Sequence, residues 1–240
     1  MDHQENCDFM RECACRQVKI IRKKLMAAKL PEEFSEATIR SFDIEIYDSQ
    51  VSKERAATAK RIATNFIKKF DLMQEQGKGL YLYSQTKGSG KTRLAASILN
   101  ALLKVHDKPD KPLTMYYSST ADLLAEIKKT FNPDSQTKMS DVIDSIKNVA
   151  VLVLDDIGVE KVGEWVEETF TRILDYRLQN HKVTIFTSNL EINELDEKYP
   201  QGRISSRIEK MTFPVQMPEE KIRSKLAQKE NENLLDLLLE

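Results

Sequence analysis

The run Lys87-Gly88-Ser89-Gly90-Lys91-Thr92 has the residue types needed to grip phosphate. Gly88 and Gly90 can take backbone angles closed to other residues, so the chain can bring its amides up against phosphate oxygens. A helix starting there turns its unpaired N–H groups, and the positive end of its dipole, toward the same anion. Lys91 then reaches β- and γ-phosphates, and Thr92 offers a hydroxyl to Mg²⁺. The full pattern is G-x-x-x-x-G-K-[ST]. Counting back from Gly90, Gln85 stands where the first glycine belongs, so the start of the loop departs from the pattern while the half facing phosphate keeps it.

Further along, the apolar run Val149–Leu154 ends in Asp155-Asp156. A carboxylate closing a buried parallel strand lies beside such a loop. Asp155 would hold Mg²⁺, directly or through water, and Asp156 would orient or deprotonate the attacking water. Aspartate at the second position is one methylene shorter than glutamate, which predicts slow hydrolysis. Without Lys91 and Thr92, Asp-Asp-Ile-Gly would read equally well as a solvated turn. The segment VTIFTSN ends at Asn189, which could touch a γ-phosphate or its attacking water, or could simply close a strand. Arg203 and Arg207 are four apart and share a helix face. They are either solvated or offered to a neighbouring subunit's γ-phosphate, where a guanidinium neutralises developing charge. In the second case ATP joins subunits and hydrolysis depends on assembly.

These residues need elements to hold them. Strands are predicted at Leu80–Tyr83, Leu113–Tyr117, Val149–Leu154, Val183–Thr187 and Met211–Val215. Helical patterns separate them: Ala59, Ile62, Ala63, Phe66 and Phe70 share one face, Val166, Phe170, Ile173 and Leu174 another. Alternation of strands and helices predicts an α/β fold with a parallel five-stranded sheet between helices. Three zones follow: an N-terminal segment over residues 1–48, a central domain over 49–218 and a reduced C-terminal helix over 219–240.

A net charge of −1 gives the whole molecule no pull on nucleic acid, so any contact must come from a local patch. No apolar run approaches the roughly 18 residues that span a bilayer, and MDHQENCDFM lacks a secretory pattern, so a cytoplasmic protein without membrane contact is expected. All three cysteines fall within the first fifteen residues. His3, Cys7, Cys13 and Cys15 either form a zinc site or carry reduced thiols. The basic stretch from Arg16 to Lys29 has an apolar stripe of Val18, Ile21, Leu25 and Ala28, fit for a partner's groove or for this chain's own core.

The run DDIGVEKVGEWVEETFTRILDYRLQNHKVTIFTSNLEINEL, followed by GRISSRI, resembles the AAA+ domain of the DnaC/DnaI helicase-loader family, with IstB-like transposition helper ATPases as close relatives. The resemblance implies a P-loop AAA+ ATPase. In it Lys91 and Thr92 match the Walker A pair, and Asp155 and Asp156 match Walker B. Asn189 matches sensor 1, Arg207 the arginine finger with Arg203 as second candidate, and Arg223 a sensor 2 arginine on a reduced lid. Family members also carry, between the second and third strands, a helix lining a channel for single-stranded DNA. Lys128, Lys129 and Phe131 are the candidates, the alternative being a lysine-rich solvated face with Phe131 in the core. The implied partner is a hexameric DnaB-type helicase, gripped by the N-terminal segment. The implied function is ATP-dependent loading of that helicase onto single-stranded DNA. An IstB-like helper assembling on DNA, a P-loop kinase and a switch that binds ATP without hydrolysing it are the other readings.

Overall fold

The computed structural model of the chain describes residues 29–108, 112–132 and 138–239. The zinc candidates His3, Cys7, Cys13 and Cys15, and the basic stretch up to residue 28, lie outside the described residues.

Five strands form one all-parallel sheet: β1 (Gly79–Tyr83), β2 (Met115–Ser119), β3 (Val151–Ile157), β4 (Val183–Ser188) and β5 (Thr212–Gln216), in the order β2-β3-β4-β1-β5. All five predicted strands are present with shifted ends. The main difference is at β3, which was expected to stop at Leu154 and instead continues through both aspartates. The step from Leu154 to Ile157 on β3 is matched by the shorter step from Phe186 to Ser188 on β4, so one residue of β3 bulges out of register. Asp156 carries the strain of that bulge at φ 55°, a left-handed conformation that aspartate tolerates better than most residues. The bulge turns successive carboxylates to different directions at the end of the sheet.

Helices cover both faces. On one side lie α1 (Gln50–Lys68), α2 (Phe70–Glu75) and α3 (Lys91–His106). On the other lie α4 (Thr120–Lys129), α5 (Met139–Asn148), α6 (Glu164–Gln179), the short α7 (Leu195–Lys198) and α8 (Arg203–Met211). Strand alternation divides the core between the faces. Leu80, Leu82, Val151, Val153, Val183 and Ile185 pack with Ala59, Ala63, Phe66, Ile98 and Leu102. Tyr81, Leu152, Leu154 and Phe186 pack with Phe170, Ile173, Leu174 and Ile208. Arg177 is fully buried and fastens the second layer to the sheet. Its guanidinium donates to the carbonyls of Ile146, Lys147, Val149 and Val183 and to Thr184 Oγ1, which joins the end of α5 to the starts of β3 and β4. Burial lowers its pKa to about 9, which leaves it charged at neutral pH.

Part of the N-terminal segment is built into this domain. Leu30, Ala37, Phe42 and Tyr47 are buried in the first core, and a 3₁₀ turn spans Glu32–Phe34. At the other end, Met217 donates to the Tyr83 carbonyl (2.8 Å) and the chain enters α9 (Ile222–Leu239).

Candidate functional site

The loop between β1 and α3 is set by its two left-handed glycines, Gly88 at φ 74° and Gly90 at φ 99°. A Cβ at Gly90 would stand 3.0 Å from the Tyr47 hydroxyl and 3.3 Å from the Phe42 ring, so glycine is required there on space as well as on angle. Tyr47 pins the loop by donating to the Ser89 carbonyl at 2.8 Å. Gly90 is also the N-cap of α3 and offers no side chain to its first-turn amides. Lys91 is buried, and its ammonium donates to the carbonyls of Ser84 (3.2 Å) and Thr86 (2.9 Å) and lies 3.4 Å from Ser89 Oγ. Burial lowers its pKa, opposed by the nearby carboxylates of Asp156, Glu219 and Asp155. The loop from Lys87 to Thr92, with Asp156, Asn189 and Arg223, lines a cavity of about 570 Å³.

Asp155 sits on the far side of Thr92. It is buried and accepts three hydroxyls: Thr92 Oγ1 at 3.0 Å, Thr187 Oγ1 at 2.6 Å and Tyr117 OH at 2.7 Å. Thr187 in turn accepts the Asp156 amide at 2.9 Å. Sheet order explains the arrangement, since β4 lies between β1 and β3 and the end of β4 therefore stands between the loop and the aspartates. Among the described residues no group of three or more His, Cys, Asp or Glu could hold a metal alone. A hydroxyl and one carboxylate suit Mg²⁺, which keeps water and takes ligand phosphate oxygens to complete its shell. Asp156 faces the main cavity, and its pKa is raised first by burial and then by Asp155, against the pull of Lys91, Arg223 and Lys87. Its carboxylate is therefore a better proton acceptor than an exposed one.

The C-terminal segment closes the same site. The amides of Ile222 and Arg223 donate to the Gly88 carbonyl at 3.0 and 3.2 Å. Glu220 receives the amides of Asp48 (2.7 Å) and Ser49 (2.9 Å) at the start of α1.

Other predicted residues lie elsewhere. Arg203 and Arg207, on α8, are absent from the lining of that cavity. Arg203 is exposed, and the Arg207 guanidinium makes a two-pronged pair with Asp175, Nη2 to Oδ2 at 2.7 Å, while donating to the Arg203 carbonyl. Lys128 and Lys129 are exposed at the end of α4, and so is Phe131 beyond it, at 52%, which corrects its alternative placement in the core. Phe131 stands edge-on to Trp165 with centroids 5.4 Å apart, and the Lys128 ammonium lies 5.5 Å from the Trp165 ring centre. Sequence reasoning gave no role to Tyr117, Thr187, Tyr47 or Trp165. For Tyr117 and Thr187 a usable signal existed: each is a hydroxyl near the C-terminal end of a buried strand in a parallel sheet.

Known proteins resemble this chain in sequence and in fold. Residues 6–211 match the family described as IstB-like ATP binding protein. The replicative helicase loader DnaI of Bacillus subtilis (strain 168) is 28% identical over 166 residues, covering 64% of this chain and 50% of that protein. A crystal structure of DnaI superposes with a TM-score of 0.62 at 30% identity, covering 78% of this chain and 93% of that one. A crystal structure of the DnaC helicase loader gives a TM-score of 0.62 at 25% identity, covering 78% and 99%. The chain spans about half the length of the first curated relatives it matches. Sheet order, loop and neighbours together make the fold a P-loop AAA+ fold.

Proposed function

The chain belongs to the IstB-like ATP-binding protein family, and from that premise we propose that it is an ATPase that loads a hexameric replicative helicase of the DnaB type onto single-stranded DNA. The observation that carries the nucleotide half of this reading is the hydrogen bond from Thr92 to Asp155 beside the buried Lys91. The likeness to DnaI and DnaC helicase loaders supports the other half.

In this reading Lys87–Thr92 wraps the phosphates of ATP, with Lys91 keeping a loop carbonyl on one of its three N–H groups and turning the others to β- and γ-oxygens. Thr92 and Asp155 hold Mg²⁺, which supplies charge neutralisation at those oxygens. Asp156 accepts the proton of the attacking water and Asn189 orients it. Arg223 reaches the phosphates from the same subunit, over the start of α9. Arg207, with Arg203 beside it, serves the site of a neighbouring subunit, consistent with both standing away from their own cavity. Turnover is then slow in the isolated chain and rises on assembly. Lys128, Phe131 and Lys129 track and stack single-stranded DNA. The N-terminal segment, residues 1–48, supplies the helicase contact, although residues 30–47 also pack into the core of the ATPase domain that 49–218 form, and 219–240 form the reduced lid. The setting is cytoplasmic, and among the described residues no helix is long and apolar enough to cross a membrane.

The test is ATP turnover by the full chain alone, with single-stranded DNA, and with purified DnaB-type helicase of its host. Loading predicts retention of the helicase on the immobilised chain and turnover that responds to it. The family match favours a second reading, a helper ATPase assembling on DNA for transposition. Turnover responding to duplex DNA, with no helicase retained, would select that one.

A further inference from the structure

We propose that Glu219 is a positioning residue for the nucleotide site: acting through peptide groups of the phosphate loop, its carboxylate holds the Lys91 ammonium in place and ties it to the start of the C-terminal helix. The inference rests on the reading that this loop grips a triphosphate.

The peptide joining Ser84 to Gln85 presents its carbonyl to Lys91 Nζ at 3.2 Å and its N–H to Glu219 Oε1 at 3.1 Å. The next two peptides divide the same partners between them: the Gln85–Thr86 peptide donates its N–H to Glu219 Oε2 at 2.9 Å, and the Thr86–Lys87 peptide offers its carbonyl to Lys91 at 2.9 Å. The described bonds are trans, so the N–H and C=O of the Ser84–Gln85 peptide point in opposite directions, and the carboxylate and the ammonium lie at opposite ends of that peptide. A negative charge at the N–H end and a positive charge at the C=O end polarise the same peptide in the same sense, which strengthens both hydrogen bonds. Ser84 Oγ lies a further 3.3 Å from Oε2.

This is the part of the loop where Gln85 replaces the first glycine of the pattern. Glu219 supports it from outside, so the first peptides of the loop are fixed by a charged partner on another segment. The same stretch holds the loop's centre, because Ile222 and Arg223 donate to the Gly88 carbonyl. The start and the centre of the phosphate loop are thus fastened to residues 219–223, and a shift of α9 must move Lys91.

The test compares Glu219→Gln with wild type in the full chain, measuring calorimetric affinity for ATP and for ADP with Mg²⁺, the KM and kcat of turnover, and thermal unfolding. Lys91 serves the γ-phosphate, so its misplacement costs ATP more than ADP. The expected result is an ATP affinity weakened about tenfold, the scale of one lost charge-assisted hydrogen bond. ADP affinity changes by less, KM rises more than kcat falls, and the unfolding transition stays cooperative. Glu219→Asp, which keeps the charge on a shorter arm, recovers part of the ATP affinity, and it carries the comparison if Glu219→Gln does not fold. ATP binding equal to or tighter than wild type overturns the assignment. So does an equal loss for ATP and ADP, which is what a purely structural contact would give. If the wild-type chain binds no ATP, the parent reading has failed; if wild type binds, Lys91→Ala does not, and Glu219→Gln matches wild type, this inference alone has failed.

Discussion

Thr187 donates to Asp155 Oδ1 at 2.6 Å, and the same oxygen of Thr187 accepts the amide of Asp156 at 2.9 Å. One hydroxyl on β4 therefore fixes both adjacent aspartates of β3 at the point where that strand bulges. Replacing it with valine keeps the shape and removes the donor, leaving the buried Asp155 short of a partner and the Asp156 amide unpaired. Thr187→Val should lower turnover at least tenfold while ATP binding changes little, and Thr187→Ser should restore most of the rate. Unchanged turnover in the valine variant would remove Thr187 from the site.

Arg207 is held by Asp175 of its own subunit, with 20% of the arginine side chain exposed. A residue serving a neighbouring site must trade this pair for the neighbour's phosphate. Arg207→Ala should leave ATP affinity of the dilute chain within about twofold of wild type and abolish the rise in turnover with protein concentration. Asp175→Asn should weaken the restraint and sharpen that rise. A concentration dependence equal to wild type in Arg207→Ala contradicts the assignment.

The chain has a single tryptophan, so its fluorescence reports on the patch formed by Trp165, Phe131 and Lys128. An oligothymidylate that stacks there should quench the emission. Phe131→Ala should weaken binding by about 1–3 kcal/mol, the usual worth of one stacked base. Lys128→Ala should reduce the dependence of affinity on salt. Emission unaffected by the oligonucleotide, with binding retained, would move the DNA site elsewhere.

The tether between Glu220 and the start of α1 should be acid-sensitive. Hydrogen bonds, first from Ser49 and then from Asp48, hold the Glu220 pKa down to about 2 from an ordinary value of 4.5. A depressed carboxylate contributes stability above its unfolded pKa and loses it as the pH falls toward the folded one. Unfolding temperature measured from pH 5 to pH 2 should therefore fall less steeply in Glu220→Gln than in wild type. Identical slopes would mean that the tether contributes nothing in solution.

Much of this was legible in the sequence because single residue types carried it. The glycines at 88 and 90, Lys91, Thr92 and the paired aspartates are required by phosphate and metal chemistry at fixed spacing, and the strands that carry them are apolar enough to recognise. Other features depend on through-space neighbours. Tyr117 meets Asp155 because β2 pairs with β3, and Glu219 meets the loop because β5 pairs with β1 and delivers the following residues there. Neither relation has a spacing in the chain. The end of β3 is not legible in the sequence because two aspartates ordinarily stop a strand, whereas here three hydroxyls and a bulge keep them within the sheet. Phe131 was ambiguous because an aromatic after an amphipathic helix has no pattern that separates core from surface.

The central claim is that the turn from Gly88 to Thr92 grips a triphosphate while Asp155 and Thr92 hold its metal. A crystal structure of the full chain grown with a non-hydrolysable ATP analogue and Mg²⁺ tests it most directly. The account predicts β- and γ-phosphates against the loop amides, Lys91 donating to phosphate oxygen while it keeps a loop carbonyl, and the metal beside Thr92 Oγ1. Analogue bound elsewhere, or Lys91 unmoved with the loop free of phosphate, would contradict it.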